Sequence, residues 1–280
     1  MPPDLLAIFY GLASGLTWGT GDFCGGLAAK KINSFVVVLI AHLFGTIILT
    51  ILALLLREPW PGTRDLAIGA AAGVVGNLGL VAFYRALARN RMGLVASVTA
   101  AISAVVPVVV GAFLEGLPAP TQLLGFVLAV TAVVIISAAG GVGGLRLSDL
   151  PLPVLAGFGF ASFFILIDQA NSISVYWPLV SARTASVALI TVVILFSGSW
   201  QRPGRAELPV ILLAGFFDTA GNTLFTLAAA VGRLDIAAIL SSLYPAATVL
   251  LAWFLLKERL TGQQWVGVVL ALAALVLIAV

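Results

Sequence analysis

The stretch Val266-Gly267-Val268-Val269-Leu270-Ala271-Leu272-Ala273-Ala274-Leu275-Val276-Leu277-Ile278-Ala279-Val280 carries no charged or polar side chain on any face. A strand of a membrane barrel would alternate apolar and polar residues over about ten positions, and a half-buried soluble helix would keep a polar side. The segment therefore reads as a helix surrounded by hydrocarbon. The rest of the chain repeats the signal. Of 280 residues 61% are apolar and 9% charged, with a mean hydropathy of +1.18. Soluble domains hold roughly half apolar and a quarter charged residues.

A helix needs roughly 20 apolar residues to cross a hydrocarbon core of about 30 Å. Spans of that length are read at 4–28, 34–56, 66–87, 92–114, 119–139, 152–170, 175–197, 208–230, 235–256 and 262–279. Ten transmembrane helices with short links take up the length, so the expectation is an all-α, multi-pass integral membrane protein. The first span lacks a basic flank and holds Trp18 and Asp22, which marks it as a retained helix and not a signal peptide. Only the run Gly140-Gly141-Val142-Gly143-Gly144 reads as a hinge. It divides the chain into 1–140, a linker at 141–151, and 152–280.

The two parts resemble one another. Gly11-Leu12-Ala13-Ser14 is similar to Gly159-Phe160-Ala161-Ser162, Ala41-His42 to Ala182-Arg183, and Gly76-Asn77 to Gly221-Asn222. Pro107 and Pro245, Glu115 and Glu258, and Gln122-x-x-Gly125 with Gln264-x-x-Gly267 continue the series in the same order. Proline precedes glutamate by eight residues in the first half and thirteen in the second, so the helices are offset there or the prolines are not equivalent. Five spans is an odd number, which makes the second half enter from the opposite side. Such inverted repeats enclose a site near the bilayer midplane and allow alternating access.

Several function classes are disfavoured. One cysteine, Cys24, and one histidine cannot furnish a four-ligand zinc site or an internal disulfide. The net charge of +3 is scattered over short loops, which fits anionic lipid and not nucleic acid. The glycine run lacks the Gly-Lys-Ser/Thr ending of a phosphate loop, and no catalytic spacing surrounds the aspartates. No cofactor, metal or enzymatic activity is expected. The partners expected are a small-molecule substrate and the lipid bilayer.

Leu16-Thr17-Trp18-Gly19, Leu243-Tyr244-Pro245 and Leu256-Lys257-Glu258-Arg259-Leu260-Thr261 followed by Gln264-x-x-Gly267 resemble EamA-type members of the drug/metabolite transporter superfamily. In layout the chain is most similar to YddG-like aromatic amino-acid exporters. That resemblance implies amino-acid or small-metabolite export across a bacterial-type inner membrane, with both termini inside. Loop charges point the other way. Lys30, Lys31, Arg89, Arg91, Arg146, Arg202, Arg205, Lys257 and Arg259 face Arg57, Arg64 and Arg233 across the membrane, which puts the termini outside by the positive-inside rule.

Charges within spans carry a penalty of about 2.5–3.5 kcal/mol at a helix centre and so need a reason. Asp22, Asp168, Arg183 and Asp218 are of this kind, with His42 as a possible fifth; Arg85 is read as snorkelling. Asp168 and Arg183 lie on consecutive spans and are expected to neutralise one another. His42 is either a coupling group or a hydrogen-bonded packing residue. Trp18 and Asp22 share a face of span one beside Ser14 and Thr17, with Tyr10 two turns earlier. Asn77 and Tyr84 share one on span three, and Asp218, Asn222 and Phe225 follow helical spacing on span eight. With Phe164, Tyr244, Ser241, Thr99 and Ser103 these groups could line a cavity, polar beside aromatic. For the hydroxyls and amides, hydrogen bonding between helices is the alternative. Glu115 and Glu258 suit helix starts, and the two prolines suit kinks beside the site. Proton-coupled efflux of cationic drugs is the second functional expectation, with Asp22 as its carboxylate.

Overall fold

The structure, a computed structural model, describes residues 3–89, 92–114, 116–138, 150–171, 173–247 and 261–279. Glu115, Glu258 and the glycine run at 140–144 lie outside the described residues. Every described element is an α-helix: α1 Pro3–Ala29, α2 Ser34–Leu55, α3 Thr63–Arg89, α4 Met92–Leu114, α5 Pro120–Ala138, α6 Pro151–Gln169, α7 Tyr176–Ser197, α8 Glu207–Val231, α9 Leu234–Ser241 and α10 Gly262–Ala279. The spans read from the sequence agree with these bounds to within three residues, except at the end of α9. Among the described residues, five helices are each long and apolar enough to cross a bilayer: 34–55, 63–88, 151–169, 176–197 and 207–231.

The helix ends have local causes. Asn33 precedes α2 and its side chain accepts from the Phe35 N–H at 2.9 Å, capping a donor that has no partner within the helix. Gly198 ends α7 at φ 59°, a left-handed conformation that a Cβ would strain. Glu58, after α2, reaches across to the start of α7. Its carboxylate accepts from the Ser174 hydroxyl, the Val175 N–H at 3.1 Å and the Tyr176 N–H at 2.9 Å. At the other end of the bundle Gln201 accepts from the Asn33 N–H at 2.9 Å and donates to the Lys31 carbonyl at 3.1 Å. Each latch joins the α2–α3 or α7–α8 connection of one half to the start of the counterpart helix in the other.

Packing register fixes the helix directions. The Ser14 hydroxyl donates to the Gly221 carbonyl at 2.8 Å while Gly21 faces the backbone of Ala214 and Asp218, so α1 and α8 are antiparallel. By the same reasoning α3 and α6 are antiparallel, with Gly76 on Phe163 and Gly79 on Gly159 and Ala156. So are α2 and α7, with His42 on Ser186 and Gly45 near Arg183. Ala41 against Gly215 and Gly45 against Thr219 make α2 parallel to α8. Gly69 against Pro178 and Gly73 against Ala182 make α3 parallel to α7. It follows that α1 and α6, α2 and α7, and α3 and α8 run in opposite senses. Exchanging the halves also preserves which helices pair: α1 with α8 becomes α6 with α3, and α2 with α7 and α5 with α10 map onto themselves.

Small residues make these crossings close, as expected where lipid removes the hydrophobic drive for helix association. A Cβ on Gly159 would stand 2.7 Å from the Gly79 Cα, so α6 leaves no room for a side chain there, and a Cβ on Gly79 would be tight at 3.1 Å from the Gly159 Cα. Large apolar side chains face outwards instead, Phe196 at 90% and Phe113 at 87% exposed. In water such a surface would drive aggregation; in a bilayer it is solvated.

Candidate functional site

A cavity of about 640 Å³, counting its mouth, opens among α1, α2, α3, α6, α7, α8 and the end of α9. Trp18, Asp22, His42, Asn77, Phe164, Arg183, Asp218, Asn222 and Tyr244, each expected from the sequence, line it. Phe160, Phe163, Leu80, Leu179, Ser186, Gly73, Gly76 and Ala182 complete the wall. Sequence reasoning had passed over Phe160 and Phe163. Their signal is the run Phe160, Phe163, Phe164, which presents aromatic rings at helical spacing on α6.

The polar side centres on Arg183. Its guanidinium donates to the Asp218 carboxylate at 2.5 Å and also to His42 Nε2. A guanidinium has no acceptor, so Nε2 is the accepting nitrogen and Nδ1 carries the hydrogen, which it gives to the Ser186 hydroxyl at 2.5 Å. His42 is thus held as the neutral imidazole. Asn222 Nδ2 donates to the Asp218 carbonyl at 2.6 Å and to its carboxylate at 3.1 Å, and Asn77 Nδ2 donates to the Ser186 carbonyl at 3.3 Å.

The ion-pair partner of Arg183 is therefore Asp218, on α8, and not Asp168 as its neighbouring span suggested. Depth is the reason. Asp168 sits one residue from the end of α6, whereas Arg183 lies seven residues into α7, about 10 Å further along at 1.5 Å per residue. Asp218 in turn serves as the counter-ion of Arg183, and its oxygens are occupied by Arg183 and Asn222. Asp22 differs: among the described residues its half-buried carboxylate has no hydrogen bond or ion pair, and it faces the cavity.

The aromatic side is continuous. Trp18 stacks on Phe164 at 5.3 Å between ring centroids with planes 13° apart, and Phe225 lies behind both at 5.9 and 4.5 Å. The indole fills the space that a side chain at Gly221 would need, so α8 admits Trp18 because position 221 is glycine. Tyr244 meets Phe83 edge-on at 6.1 Å.

Several expected residues fall elsewhere. Tyr84 is buried against Gly25 and Phe83 and does not line the cavity. Seven residues along a helix preserve the face but move about 10 Å along the axis, past the cavity that Asn77 and Leu80 reach. Thr17 turns back to its own helix, donating within reach of the Ala13 and Ser14 carbonyls, both at 2.9 Å. Thr99, Ser103 and Ser241 tie helices together: Thr99 donates to the Pro153 carbonyl at 3.1 Å, Ser103 pairs with Ser242 at 3.3 Å, and Ser241 donates to the Gly11 carbonyl at 3.3 Å. Arg85, expected to snorkel, lies over the Phe35 ring at 4.2 Å.

Of the two prolines, Pro107 lies inside a continuous α4, whereas α9 stops at Ser241 and turns at 242–243 before helix resumes at 244–247. Pro245 has no N–H to offer the Ser241 carbonyl, which faces Gly15 of α1. The break places Tyr244 at the cavity.

Comparison with known proteins gives a consistent result. The sequence model of the EamA-like transporter family matches residues 5–138 and again residues 150–280. Among curated proteins no sequence matches. One solved crystal structure of a protein is similar over 97% of this chain and 95% of its own, with a TM-score of 0.77 and 17% sequence identity. At that identity the likeness establishes the fold alone.

Proposed function

The chain belongs to the EamA-like transporter family, and from that premise we propose that it is a secondary transporter exporting amino acids or similar small metabolites, aromatic or other neutral ones among them. It works by alternating access across a bacterial-type inner membrane, which ten helices cross as two inverted repeats, 1–140 and 152–280, joined at 141–151. The observation that carries this reading is the cavity's position, enclosed between two sets of helices that run in opposite senses. A site shared by both halves opens to one side or the other when the halves rock, and no nucleotide is needed.

Trp18, Phe164 and Tyr244 provide the apolar contact for a substrate body; Asn77, Asn222 and Asp22 provide the polar contact. Arg183, Asp218 and His42 hold α2, α7 and α8 together around it. A second reading, proton-coupled efflux of cationic compounds, is favoured by one specific feature: among the described residues Asp22 has no cationic partner. Purified protein in liposomes should exchange radiolabelled neutral amino acids without ATP. Flux of organic cations with none of any amino acid would favour the second reading.

A further inference from the structure

Where α3 meets α7 in the cavity wall, a buried acceptor and a buried hydroxyl hydrogen are both left unused. Asn77 gives its amide nitrogen to the Ser186 carbonyl at 3.3 Å, which leaves its Oδ1 unpaired on a residue 2% exposed. Turning the amide over would set oxygen against the Ser186 carbonyl, so Oδ1 is held as the acceptor. A buried carbonyl without a partner is costly until something donates to it.

The hydrogen belongs to Ser186, and Arg183 decides its direction. Because the guanidinium donates to His42 Nε2, the imidazole hydrogen sits on Nδ1 and goes to Ser186 Oγ at 2.5 Å. Ser186 Oγ is thereby the acceptor towards His42, and its own hydrogen turns elsewhere. Thr46, Thr184 and Thr191 each return theirs to the carbonyl four residues back, at 2.7, 2.8 and 2.7 Å. Among the described residues Ser186 has no such acceptor, and both Ser186 and Asn77 line the cavity. Arg183, His42 and Ser186 form a chain in which each group donates to the next, and such chains polarise in step, which strengthens the last donor. Trp18 Nε1–H and the second hydrogens on the Arg183 terminal nitrogens also lack acceptors among the described residues, so the wall holds further donors for an anion.

Resting on the amino-acid reading above, we propose that Ser186 and Asn77 together read the two charged groups of an α-amino acid: the Ser186 hydroxyl donates to the carboxylate, and Asn77 Oδ1 accepts from the ammonium. In the ligand both groups branch from one carbon, and in the protein both side chains meet at one contact between α3 and α7. His42 and Arg183 act as positioning residues, since together they turn the serine hydrogen away from the imidazole. The Arg183–Asp218 pair is balanced in itself, and a zwitterion brings no net charge to be compensated in a low-dielectric site. An amine without a carboxylate leaves the Ser186 hydrogen unused, and an acid without an ammonium leaves Asn77 Oδ1 unpaired. Trp18, Phe160, Phe163 and Phe164 line the same space and take the side chain.

The test compares three probes with one side chain, phenylalanine, phenethylamine and hydrocinnamate, for binding to the purified full chain, with uptake into liposomes alongside. Phenylalanine is expected to bind at least about tenfold tighter than either probe that lacks one of its charged groups, the difference one charge-assisted hydrogen bond makes. Ser186→Ala should weaken phenylalanine and hydrocinnamate by about 10- to 100-fold and leave phenethylamine unmoved. Asn77→Leu should do the reverse, weakening phenylalanine and phenethylamine while hydrocinnamate keeps its affinity. A purely structural role for either residue would move all three probes together, and that result overturns the proposal. So does phenethylamine or hydrocinnamate binding the unaltered chain as tightly as phenylalanine, a comparison that needs no variant to fold. Exchange of phenylalanine at unchanged affinity in Ser186→Ala overturns the assignment alone and leaves the transporter reading standing. Absence of binding for all three probes overturns the assignment, and absence of flux for every amino acid overturns the amino-acid reading with it.

Discussion

Arg183 is the residue on which the polar side of the cavity depends, because three groups from three helices meet on its guanidinium or next to it: His42 from α2, Ser186 from α7 and Asp218 from α8. Removing one partner of a buried ion pair strands the other, at roughly 3–5 kcal/mol, while removing both is far less damaging. Arg183→Met alone should therefore lower the melting temperature in detergent strongly, and adding Asp218→Asn should restore much of the loss. Asp168→Asn should show no coupling to Arg183 in the same double-mutant cycle, since additivity is the rule for residues that share no contact. Trp18→Ala removes stacking on Phe164 and Phe225, worth about 0.5–1.5 kcal/mol per pair. It should weaken binding of aromatic ligands more than small ones in titration calorimetry. At this scale residue type was legible and partner was not. Charged, amide and aromatic residues in mid-span single themselves out because lipid gives them no reward, and most do line the cavity. Which carboxylate meets which cation depends on depth along helices and on the folding of one half against the other. One span followed by the next carries neither, and so Asp168 was named where Asp218 belongs, and Tyr84 was placed one cavity length too far along α3.

At the scale of elements the sequence was most informative. A hydrocarbon slab of fixed thickness sets helix length, so apolar runs bounded by charged or glycine–proline links locate both ends of a helix. The offset between Pro107 and Pro245 relative to their glutamates had a structural counterpart in α4 and α9, one continuous and the other broken ahead of its proline. Pro245→Ala would give the Ser241 carbonyl its missing donor. Interior proline is about 3 kcal/mol less favourable than alanine, so this variant should melt higher while transporting more slowly, as a stiffened helix resists the change of shape at Tyr244. An unchanged transport rate would show that the break has no part in the cycle. Close crossings were foreshadowed only as glycine content, because which glycine meets which helix is a tertiary fact. Gly159→Leu should prevent α3 and α6 from meeting and abolish folded yield. Gly62→Ala, with nothing within 4 Å of the added carbon, should be neutral.

For the whole molecule, the matches between halves in the sequence and the opposite helix senses in the structure belong to one design: two similar sets of helices, turned over and packed around a shared cavity. Loop charges on one side of the membrane and family resemblance on the other disagree about which way the bundle faces. The proposed ten-span topology would place both termini on the same side in either case, and reporter fusions at the two ends should then always agree with each other. Alternating access requires that the cavity be exposed to each side of the membrane in turn. Leu80 lines it and is apolar, and Cys24 is the chain's single cysteine. A Leu80→Cys substitution in a Cys24→Ser background thus provides one reporter thiol in the cavity. In sealed vesicles a membrane-impermeant maleimide should label this thiol when applied from either side, and the reaction should slow when the cavity is occupied. Labelling from one side only, under every condition of ligand, would contradict alternating access.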